Sequence, residues 1–367
     1  MEATRAQNRT TVGVVRRALI ELERSCDNAC VFCGQQGLEP LGPVDLDRAL
    51  AHARGDTDEV TFGGGEPTLA PALPHAVVRA RALGFARIGV QTHARHLASG
   101  ALLDDLVSRG LTDVHVSLHG ARADVHEYHT GVDGSYEGAL AGARACVDRR
   151  LEVVVATVLT RSNARSLTAL PALLRGLGIS AWCLVVPRVA GRAVADFDRV
   201  YPRLGLALPY ALHALQAARE LGLVTWMRGA PACGLGPFAE HTLEDEPRSY
   251  GQACEGCAAR AQCPGLDGHY LARFDGDELR ARDPVPARSH GEHARLARMF
   301  VGPGTLAPVP APRSAPEFAS PARARRALPV LGKVAPATAE VPGSTAKQSG
   351  DALRELFPAL FDRETER

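Results

Sequence analysis

Short apolar segments alternate with helical patterns over residues 18–186 of this 367-residue chain. The alternation predicts successive βαβ units and a parallel sheet. Because such crossovers are right-handed, six units curve the sheet into a barrel or part of one. The predicted strands are 18–22, 60–62, 88–91, 114–118, 153–158 and 181–186, and the predicted helices are 46–54, 72–83, 101–109, 136–149 and 166–177. We therefore expect an α/β fold, a partial (βα)6 TIM-like barrel, over residues 17–210.

Three cysteines follow the first predicted strand at the spacing C-x3-C-x2-C, in the run CDNACVFCG: Cys26, Cys30 and Cys33. Three thiolates can bind three irons of a four-iron cluster and leave the fourth iron open, whereas most clusters take four cysteines. A closed zinc site needs a fourth ligand, usually from a second cysteine pair, and the nearby sequence offers none. Thiols this crowded also suit a metal better than disulfides. The run indicates an iron–sulfur centre.

A glycine-rich turn, Gly63-Gly64-Gly65-Glu66-Pro67, ends the second predicted strand. It lacks the spacing of a dinucleotide fingerprint and the lysine of a phosphate loop. Together with the three cysteines, this turn closely resembles the radical S-adenosylmethionine (radical SAM) enzymes. The resemblance implies a [4Fe-4S] cluster and S-adenosyl-L-methionine as cofactors. In that family the open iron chelates the methionine moiety, and the cluster's electron breaks the sulfonium to a 5′-deoxyadenosyl radical that abstracts hydrogen from a substrate.

The same resemblance places cosubstrate contacts at the ends of the strands. The turn is expected to meet the methionine ammonium, and the threonine in VQTHAR matches the family only in part, since His93-Ala94 replaces asparagine-glycine. The fourth-strand serine is expected at the ribose or carboxylate, and an arginine after the fifth strand could pair the carboxylate in bidentate fashion. The candidates are Gly64, Gly65, Glu66, Thr92, Ser117 and Arg161. No further catalytic residue is assigned, and three histidine pairs are interpreted as polar lining or surface.

A second group of cysteines lies downstream, in the run ACEGCAARAQCPG and before it: Cys233, Cys254, Cys257 and Cys263. The group resembles the auxiliary-cluster modules, SPASM and the shorter twitch type, of radical SAM enzymes. The SPASM pattern has a further cysteine where this chain has Asp267, so one twitch-like [4Fe-4S] cluster fits better. A structural zinc site with four cysteines is the alternative. Cys146 and Cys183 are predicted to pack in the core.

The region after the barrel is divided by its composition. We expect an auxiliary module over residues 211–285, with a helix at 210–221 and a hairpin turning at Asp275-Gly276. Residues 302–350 are rich in proline, alanine and arginine, which predicts a disordered tail. A short terminal helix is expected within 351–367, although Pro358 should kink or end it.

Composition limits the partners and the compartment. The formal net charge is +1, which argues against bulk nucleic-acid binding. No secretory signal and no apolar run of about 18 residues is present, so a cytoplasmic protein without a membrane anchor is expected.

The resemblance implies a flavodoxin- or ferredoxin-like electron donor. A ribosomal peptide is the first expected substrate, with a separate leader-binding partner because no such domain precedes the barrel. A small-molecule or nucleoside precursor, or a non-catalytic iron–sulfur or zinc scaffold, are the alternatives.

Overall fold

The computed structural model describes residues 17–39, 45–243, 248–284 and 290–300. The predicted tail at 302–350 and the predicted helix within 351–367 lie outside the described residues. No helix in the described ranges is long and apolar enough to cross a membrane.

Seven parallel strands form one sheet in the order β1 to β7, so each strand pairs with the next one along the chain. The pairing extends from Ala18 opposite Val60 to Val185 opposite Arg228, and its register shifts between Glu21 and Glu23, where the first strand meets the glycine turn. The strands are β1 Ala18–Glu23, β2 Glu59–Gly64, β3 Arg87–Thr92, β4 Asp113–Ser117, β5 Glu152–Val158, β6 Ala181–Val185 and β7 Val224–Arg228. The six predicted strands and the partial TIM-like barrel are confirmed. The seventh strand was missed, and it carries the sheet beyond residue 210.

Helices cover the outer face of the sheet, and the last one packs inside the barrel. They are α1 Leu46–Asp56, α2 Leu73–Ala82, α3 Ala101–Arg109, α4 Ala123–Thr130, α5 Ser135–Asp148, α6 Leu170–Leu177, α7 Arg192–Ala195, α8 Phe197–Val200, α9 Leu204–Glu220, α10 Gly268–Phe274 and α11 Ala294–Met299. The predicted hairpin at 275–276 was wrong. Helix α10 fills that segment because Asp267 caps its first turn, accepting from the His269 amide at 3.0 Å. Asp275 ends the helix in the left-handed region, with φ of 55°.

The two faces of the strands build two separate cores. In β5, Val153 and Val155 point outward to the helices, whereas Val154 and Ala156 point into the barrel, as alternation along a strand requires. Cys183 and Trp226 share the inner core with residues of α11, so this helix packs inside the barrel. Cys146 and Cys183 are fully buried, which confirms their predicted place in the core.

Ion pairs close the amino-terminal end of the barrel. Arg17 lies just before β1 and donates to Asp113, the first residue of β4, at 2.5 Å, with both side chains almost fully buried. Glu59, which begins β2, accepts from Arg298 of α11 at 2.5 Å. Glu152, which begins β5, accepts from Arg295 of α11 at 2.6 Å. Helix α11 therefore fixes this end of the barrel by charge as well as by packing.

Candidate functional site

A cavity of about 670 Å³ opens at the carboxyl-terminal edge of the strands. Parallel α/β folds place their chemistry at this edge. The structure brings most of the predicted site residues together there, because the following predicted residues all line the cavity: Cys26, Cys30, Cys33, Gly64, Gly65, Glu66, Thr92 and Ser117. Arg161 is not among the lining residues; its exposed guanidinium donates to the carbonyl of Asp198.

The loop that carries the three cysteines is held by backbone hydrogen bonds from two directions. The amides of Ala29 and Val31 donate to the carbonyls of Thr130 and His129, at 2.7 and 3.0 Å. These carbonyls end α4 and have no partner within the helix, so the loop satisfies them. On the other side, the Cys33 carbonyl accepts from the Arg192 amide at 2.9 Å. The positions of the thiols are thus set by the fold.

The glycines of the turn allow β2 to approach the start of the cysteine loop. The Gly65 amide donates to the Glu23 carbonyl at 2.6 Å, and the Glu66 amide donates to Ser25 at 2.9 Å. A Cβ atom on Gly64 would lie 2.1 Å from the Glu23 carbonyl oxygen, and one on Gly65 would lie 2.3 Å from that of Ser25. Gly64 also has φ of +122°, which side chains disfavour. Only glycine permits this contact.

Glu66 is buried and already holds several partners. Its Oε1 accepts from the Thr68 amide at 3.0 Å and from the Thr92 hydroxyl at 2.6 Å, while Oε2 accepts from the His93 amide at 2.9 Å. The carboxylate therefore joins the ends of β2 and β3. Thr92 belongs to the same network, since its hydroxyl also accepts from the Ala94 amide at 2.9 Å.

A cluster of charges after β3 binds the cysteine loop through Asp27. His93 lies 2.7 Å and His96 3.1 Å from the Asp27 carboxylate, and Arg95 lies 3.3 Å away. Burial raises the pKa of Asp27, but the His93 hydrogen bond and the electrostatic contributions of His93, Arg95 and His96 outweigh it and lower the pKa below its usual value. Sequence reasoning missed Asp27 and Arg95. The sequence did offer one signal for this cluster: two histidines and an arginine, in His93-Ala-Arg-His96, directly follow the predicted site residue Thr92.

The thiols of the loop have the chemistry of a metal-binding set. Burial raises the pKa of the Cys30 thiol to about 12, and the neighbouring Cys33 and Cys26 add to the rise by repulsion. Three adjacent thiolates therefore need a positive centre to stay ionised, which a bound iron cluster supplies. Cys26 also has Asp27 and His93 beside it, with ligand atoms within 4.8 Å of one another. The donor set fits a cluster held by three cysteines.

The predicted histidine lining is confirmed in part. His93, His115 and His119 line the cavity. His126 and His129 are instead buried behind the cysteine loop, where the His129 Nε2 lies 2.6 Å from the Thr160 hydroxyl. Burial lowers the pKa of His126 to about 4, with the charge of His129 as the next cause, so His126 is neutral. These two side chains support the loop and do not reach the cavity.

The four downstream cysteines surround a second, much smaller cavity of about 20 Å³. Two backbone amides point at one of the sulfurs, since Ala232 and Gly265 lie 3.3 and 3.4 Å from the Cys263 Sγ. Asp267, which stands where the SPASM pattern has a cysteine, also accepts from the Val189 amide at 3.1 Å. Its carboxylate therefore caps α10 and joins this region to the loop after β6. The cysteines Cys233, Cys254, Cys257 and Cys263 are brought together as the sequence predicted.

Known proteins share the barrel part of this chain. The family model of the radical SAM superfamily matches residues 20–167. The AdoMet-dependent heme synthase of Oleidesulfovibrio alaskensis is 26% identical over 179 residues, which are 47% of this chain and 46% of that protein. The PqqA peptide cyclase of Xanthomonas euvesicatoria pv. vesicatoria is 29% identical over 166 residues, which are 42% of this chain and 43% of that protein.

A solved structure shows the same fold. The crystal structure of Streptococcus suis SuiB bound to S-adenosylmethionine superposes with a TM-score of 0.50 at 15% identity, covering 64% of this chain and 54% of that one. The chain spans less than half the length of the two curated relatives. Residues 20–167, which the family model matches, contain the three cysteines of the loop, the glycine turn and the ends of the first five strands. The part of this chain that matches the radical SAM superfamily model is therefore the part that carries the three cysteines and the glycine turn.

Proposed function

We propose that this chain is a radical SAM enzyme that cleaves S-adenosylmethionine reductively and abstracts hydrogen from a ribosomally made peptide. The observation that carries the proposal is the convergence of Cys26, Cys30 and Cys33 with the glycine turn on one cavity of about 670 Å³. When bound, the cluster supplies the electron that breaks the sulfonium and releases a 5′-deoxyadenosyl radical.

The residues of the chain bind and orient the reactants. The three thiols hold the cluster, and the anchored loop fixes its place at the edge of the sheet. The strand-end backbone at Gly64 and Gly65 faces the cavity, where carbonyl oxygens are suitable acceptors for the methionine ammonium. Glu66 keeps that backbone in place, because its own oxygens accept hydrogen bonds from the ends of β2 and β3. Ser117, at the end of β4, remains the candidate for a ribose or carboxylate contact.

The assignment of cleavage is tested with Cys30→Ala. The protein is reconstituted anaerobically with iron and sulfide, reduced with a low-potential reductant, and assayed for 5′-deoxyadenosine. We expect the variant to lose cleavage completely, because one iron loses its ligand. Cys146→Ala is the matched control, since this cysteine is buried in the core within α5 and is not among the lining residues of the cavity. Undiminished cleavage by Cys30→Ala contradicts the assignment.

The four downstream cysteines are proposed to hold a second iron–sulfur cluster. The four side chains gather around one small cavity, and in a four-iron cluster each cysteine binds a different iron. A structural zinc site with four Zn–S bonds of about 2.3 Å is the alternative.

Metal analysis separates these two alternatives. We expect the double variant Cys254→Ala/Cys257→Ala to contain about four fewer iron atoms per chain than wild type, the content of one cluster. If the wild-type protein holds one tightly bound zinc and the variant differs only by the loss of that zinc, the structural zinc site is supported instead.

The peptide substrate is favoured by the cysteine-rich segment and by the similarity to a peptide cyclase. A small-molecule substrate is the second candidate, because a heme synthase matches the same part of the chain. The two substrate classes are separated by adding size fractions of a cell extract to the reduced enzyme. The 5′-deoxyadenosine formed with each fraction is then measured. Stimulation by a fraction that loses its effect after protease treatment supports a peptide. Stimulation by a protease-resistant, low-mass fraction supports the small molecule. An external flavodoxin- or ferredoxin-like protein is proposed as the electron donor for either.

A further inference from the structure

One side chain deep in the large cavity is buried without a hydrogen-bond partner. His115 lies in the middle of β4 and lines the cavity. Its neighbours Val114 and Val116 belong to the outer core, so alternation along the strand turns His115 inward. It is 5% exposed, and neither ring nitrogen has a hydrogen-bond partner within the described ranges. A buried polar group in this state costs free energy, which a ligand that pairs with it would recover.

Aromatic packing holds the His115 ring on the side of the barrel that α11 closes. The Phe300 ring, directly after α11, meets the imidazole nearly edge-on, with the ring centroids 5.1 Å apart. Trp226 packs against Phe300 in turn, at 5.8 Å. These contacts orient the imidazole but give its nitrogens no hydrogen bond. His115 therefore forms the floor of the cavity, with polar atoms available to a group that enters from the open side.

The imidazole of His115 is uncharged. Burial, followed by the charges of Arg228 and Arg17, lowers the pKa of His115 to about 3. A neutral ring carries one N–H donor and one nitrogen acceptor, so it pairs with an acceptor or a donor according to its tautomer. Its partner in the substrate does not need to carry a charge.

Gln91 of β3 stands beside His115 on the same wall. The two residues are paired in register across the strands, and both line the cavity. Neighbouring strands lie about 4.8 Å apart, so the two side chains can contact one substrate group together. The Gln91 amide lies near the glycine turn, because a Cβ on Gly63 would be 3.9 Å from its Oε1. The floor thus presents uncharged donors and acceptors side by side.

The wall around this polar pair favours an uncharged ligand. Both glutamates that line the cavity are engaged, since Glu66 joins β2 to β3 and Glu21 accepts from Gln35 at 3.1 Å. The five arginines of the wall also interact within the protein. Burying an ion against an apolar wall costs much more than burying a neutral group that is hydrogen-bonded. The apolar part of the wall consists of Leu19, Ala156, Val158, Val185 and Val186.

We propose that the floor of the cavity binds a carboxamide of the substrate between His115 and Gln91, either an asparagine or glutamine side chain or a main-chain peptide group. An amide accepts at its oxygen and donates at its nitrogen, so it pairs with both side chains at once. Ser117, the proposed cosubstrate contact, lies two residues nearer the cavity mouth on the same face, about 7 Å along the strand. The carbon atoms beside the bound amide then lie next to the cosubstrate. The inference rests on the proposed function and names the part of the substrate that enters the barrel.

The test uses four uncharged probes of equal size: hexanamide, N-methylpentanamide, heptan-2-one and heptan-1-ol. The first resembles a side-chain carboxamide and the second a main-chain peptide group, whereas the ketone lacks the donor and the alcohol lacks the carbonyl. Binding to the full-length, anaerobically reconstituted protein with S-adenosylmethionine is measured by isothermal titration calorimetry. We expect at least one amide to bind, and the tighter of the two identifies the source of the carboxamide. Absence of measurable binding by both amides overturns the proposal.

Variants of His115 assign the bound amide to the floor. His115→Phe removes both nitrogens and keeps a ring against Phe300, whereas His115→Gln keeps a donor and an acceptor. We expect the ratio of amide affinity to ketone affinity to fall about tenfold in the Phe variant and to recover in the Gln variant. The ratio cancels the different hydration of the two probes. If the larger ring blocks the cavity, His115→Leu gives the same reading.

The matched control is His75→Phe, at an exposed histidine of α2, which should keep the wild-type ratio. An unchanged ratio in both the Phe and the Leu variant of His115 contradicts the proposal. A larger loss of affinity for heptan-1-ol than for either amide also contradicts it, because the site would then bind a hydroxyl group.

Thermal stability separates a binding role of His115 from a structural one. We expect the melting temperature of the probe-free His115→Phe or His115→Leu protein to equal or exceed that of wild type, because an unpaired polar group no longer has to be buried. A fall of several degrees in both variants would show that the ring is already satisfied within the protein, which contradicts the proposal. These measurements do not depend on turnover. A wild-type protein that binds amides through His115 but never forms 5′-deoxyadenosine overturns the proposed function and not this inference.

Discussion

The amino-terminal end of the barrel and the carboxyl-terminal end differ in what they gather. At the amino-terminal end arginines meet carboxylates of the same chain, as Arg17 meets Asp113 and Arg298 meets Glu59. At the carboxyl-terminal end the three cysteines of the loop and the glycine turn surround a cavity of about 670 Å³. The first end is closed by charges paired within the fold, so it contributes to stability. The second end is open and lined by the predicted ligand-binding residues, so it is proposed to contribute to binding.

The difference also affects how each end tolerates change. A buried pair that loses one partner leaves the other charge buried and uncompensated, which costs far more than the pair itself contributes. A cavity that loses a residue of its wall keeps its fold but loses its ligand. Substitutions at the two ends should therefore separate stability from activity, and the predictions below test that separation.

The largest effect is expected for Gly65→Ala at the carboxyl-terminal end. The new Cβ would lie 2.3 Å from the Ser25 carbonyl oxygen, so the cysteine loop must move away from β2. We expect the variant to lose its loop cluster and all cleavage of S-adenosylmethionine, measured as iron per chain and as 5′-deoxyadenosine. Gly176→Ala, in α6, is the matched control because its Cβ meets nothing within 4 Å. Retention of iron and activity in Gly65→Ala would show that the loop is not held against this turn.

The next effect is expected for Asp113→Ala at the amino-terminal end. The substitution leaves Arg17 buried without its closest partner, 2.5 Å away in the native protein. We expect the free energy of unfolding to fall by about 3–5 kcal/mol, measured by anaerobic urea denaturation. Asp104→Ala removes an exposed pair with Arg149 and should leave the unfolding free energy unchanged within error. If the free energy of unfolding falls only slightly in Asp113→Ala, the paired charges at the amino-terminal end do not provide the stability described above.

A smaller effect is expected for Asp27→Asn, which weakens the link between the cysteine loop and β3. His93, His96 and Arg95 all contact this carboxylate. Residues that position metal ligands typically contribute about 10–100-fold to metal affinity, and we expect a loss of cluster retention in that range. It is measured as the loss of cluster absorbance during a chelator challenge. The exposed Asp124, changed to Asn, is the control, and equal retention in both variants contradicts the proposed role of Asp27.

The smallest effect is expected when the chain is ended before residue 302. The composition of residues 302–350 predicts no packed core, so cluster content, cleavage and melting temperature should stay close to those of the full chain. Phe300→Ala provides the contrast, because Phe300 is buried against His115 and Trp226 inside the barrel. Its loss should destabilise the protein by about 3–5 kcal/mol. A large fall in melting temperature on truncation would show that the omitted residues form part of the ordered protein.

The sequence alone determined the alternation of strands and helices and the residues that gather at the carboxyl-terminal edge. These predictions succeeded because they depend on local patterns. Buried strands such as β5 are apolar over most of their length, and cysteines or glycines at short spacing stay close in any fold. The sequence pattern failed where local signals were ambiguous. The pair Asp275-Gly276 fits a hairpin turn and a helix end equally well. The segment forms a helix because Asp267 caps the first turn of α10. β7 is five residues long and ends in arginine, so its own pattern is weak.

Only the tertiary structure decided which charges meet. Arg17 and Asp113 are 96 residues apart, and Glu59 and Arg298 are 239 apart, so no local pattern links them. The same holds for Arg188, Arg228 and Arg248, which three different segments bring to the lining of the large cavity. Arg161 had seemed a suitable carboxylate partner by its place in the sequence, but its side chain extends to the Asp198 carbonyl instead. The physical reason is that a charge acts over a few ångströms of space, and distance along the chain does not determine distance in space.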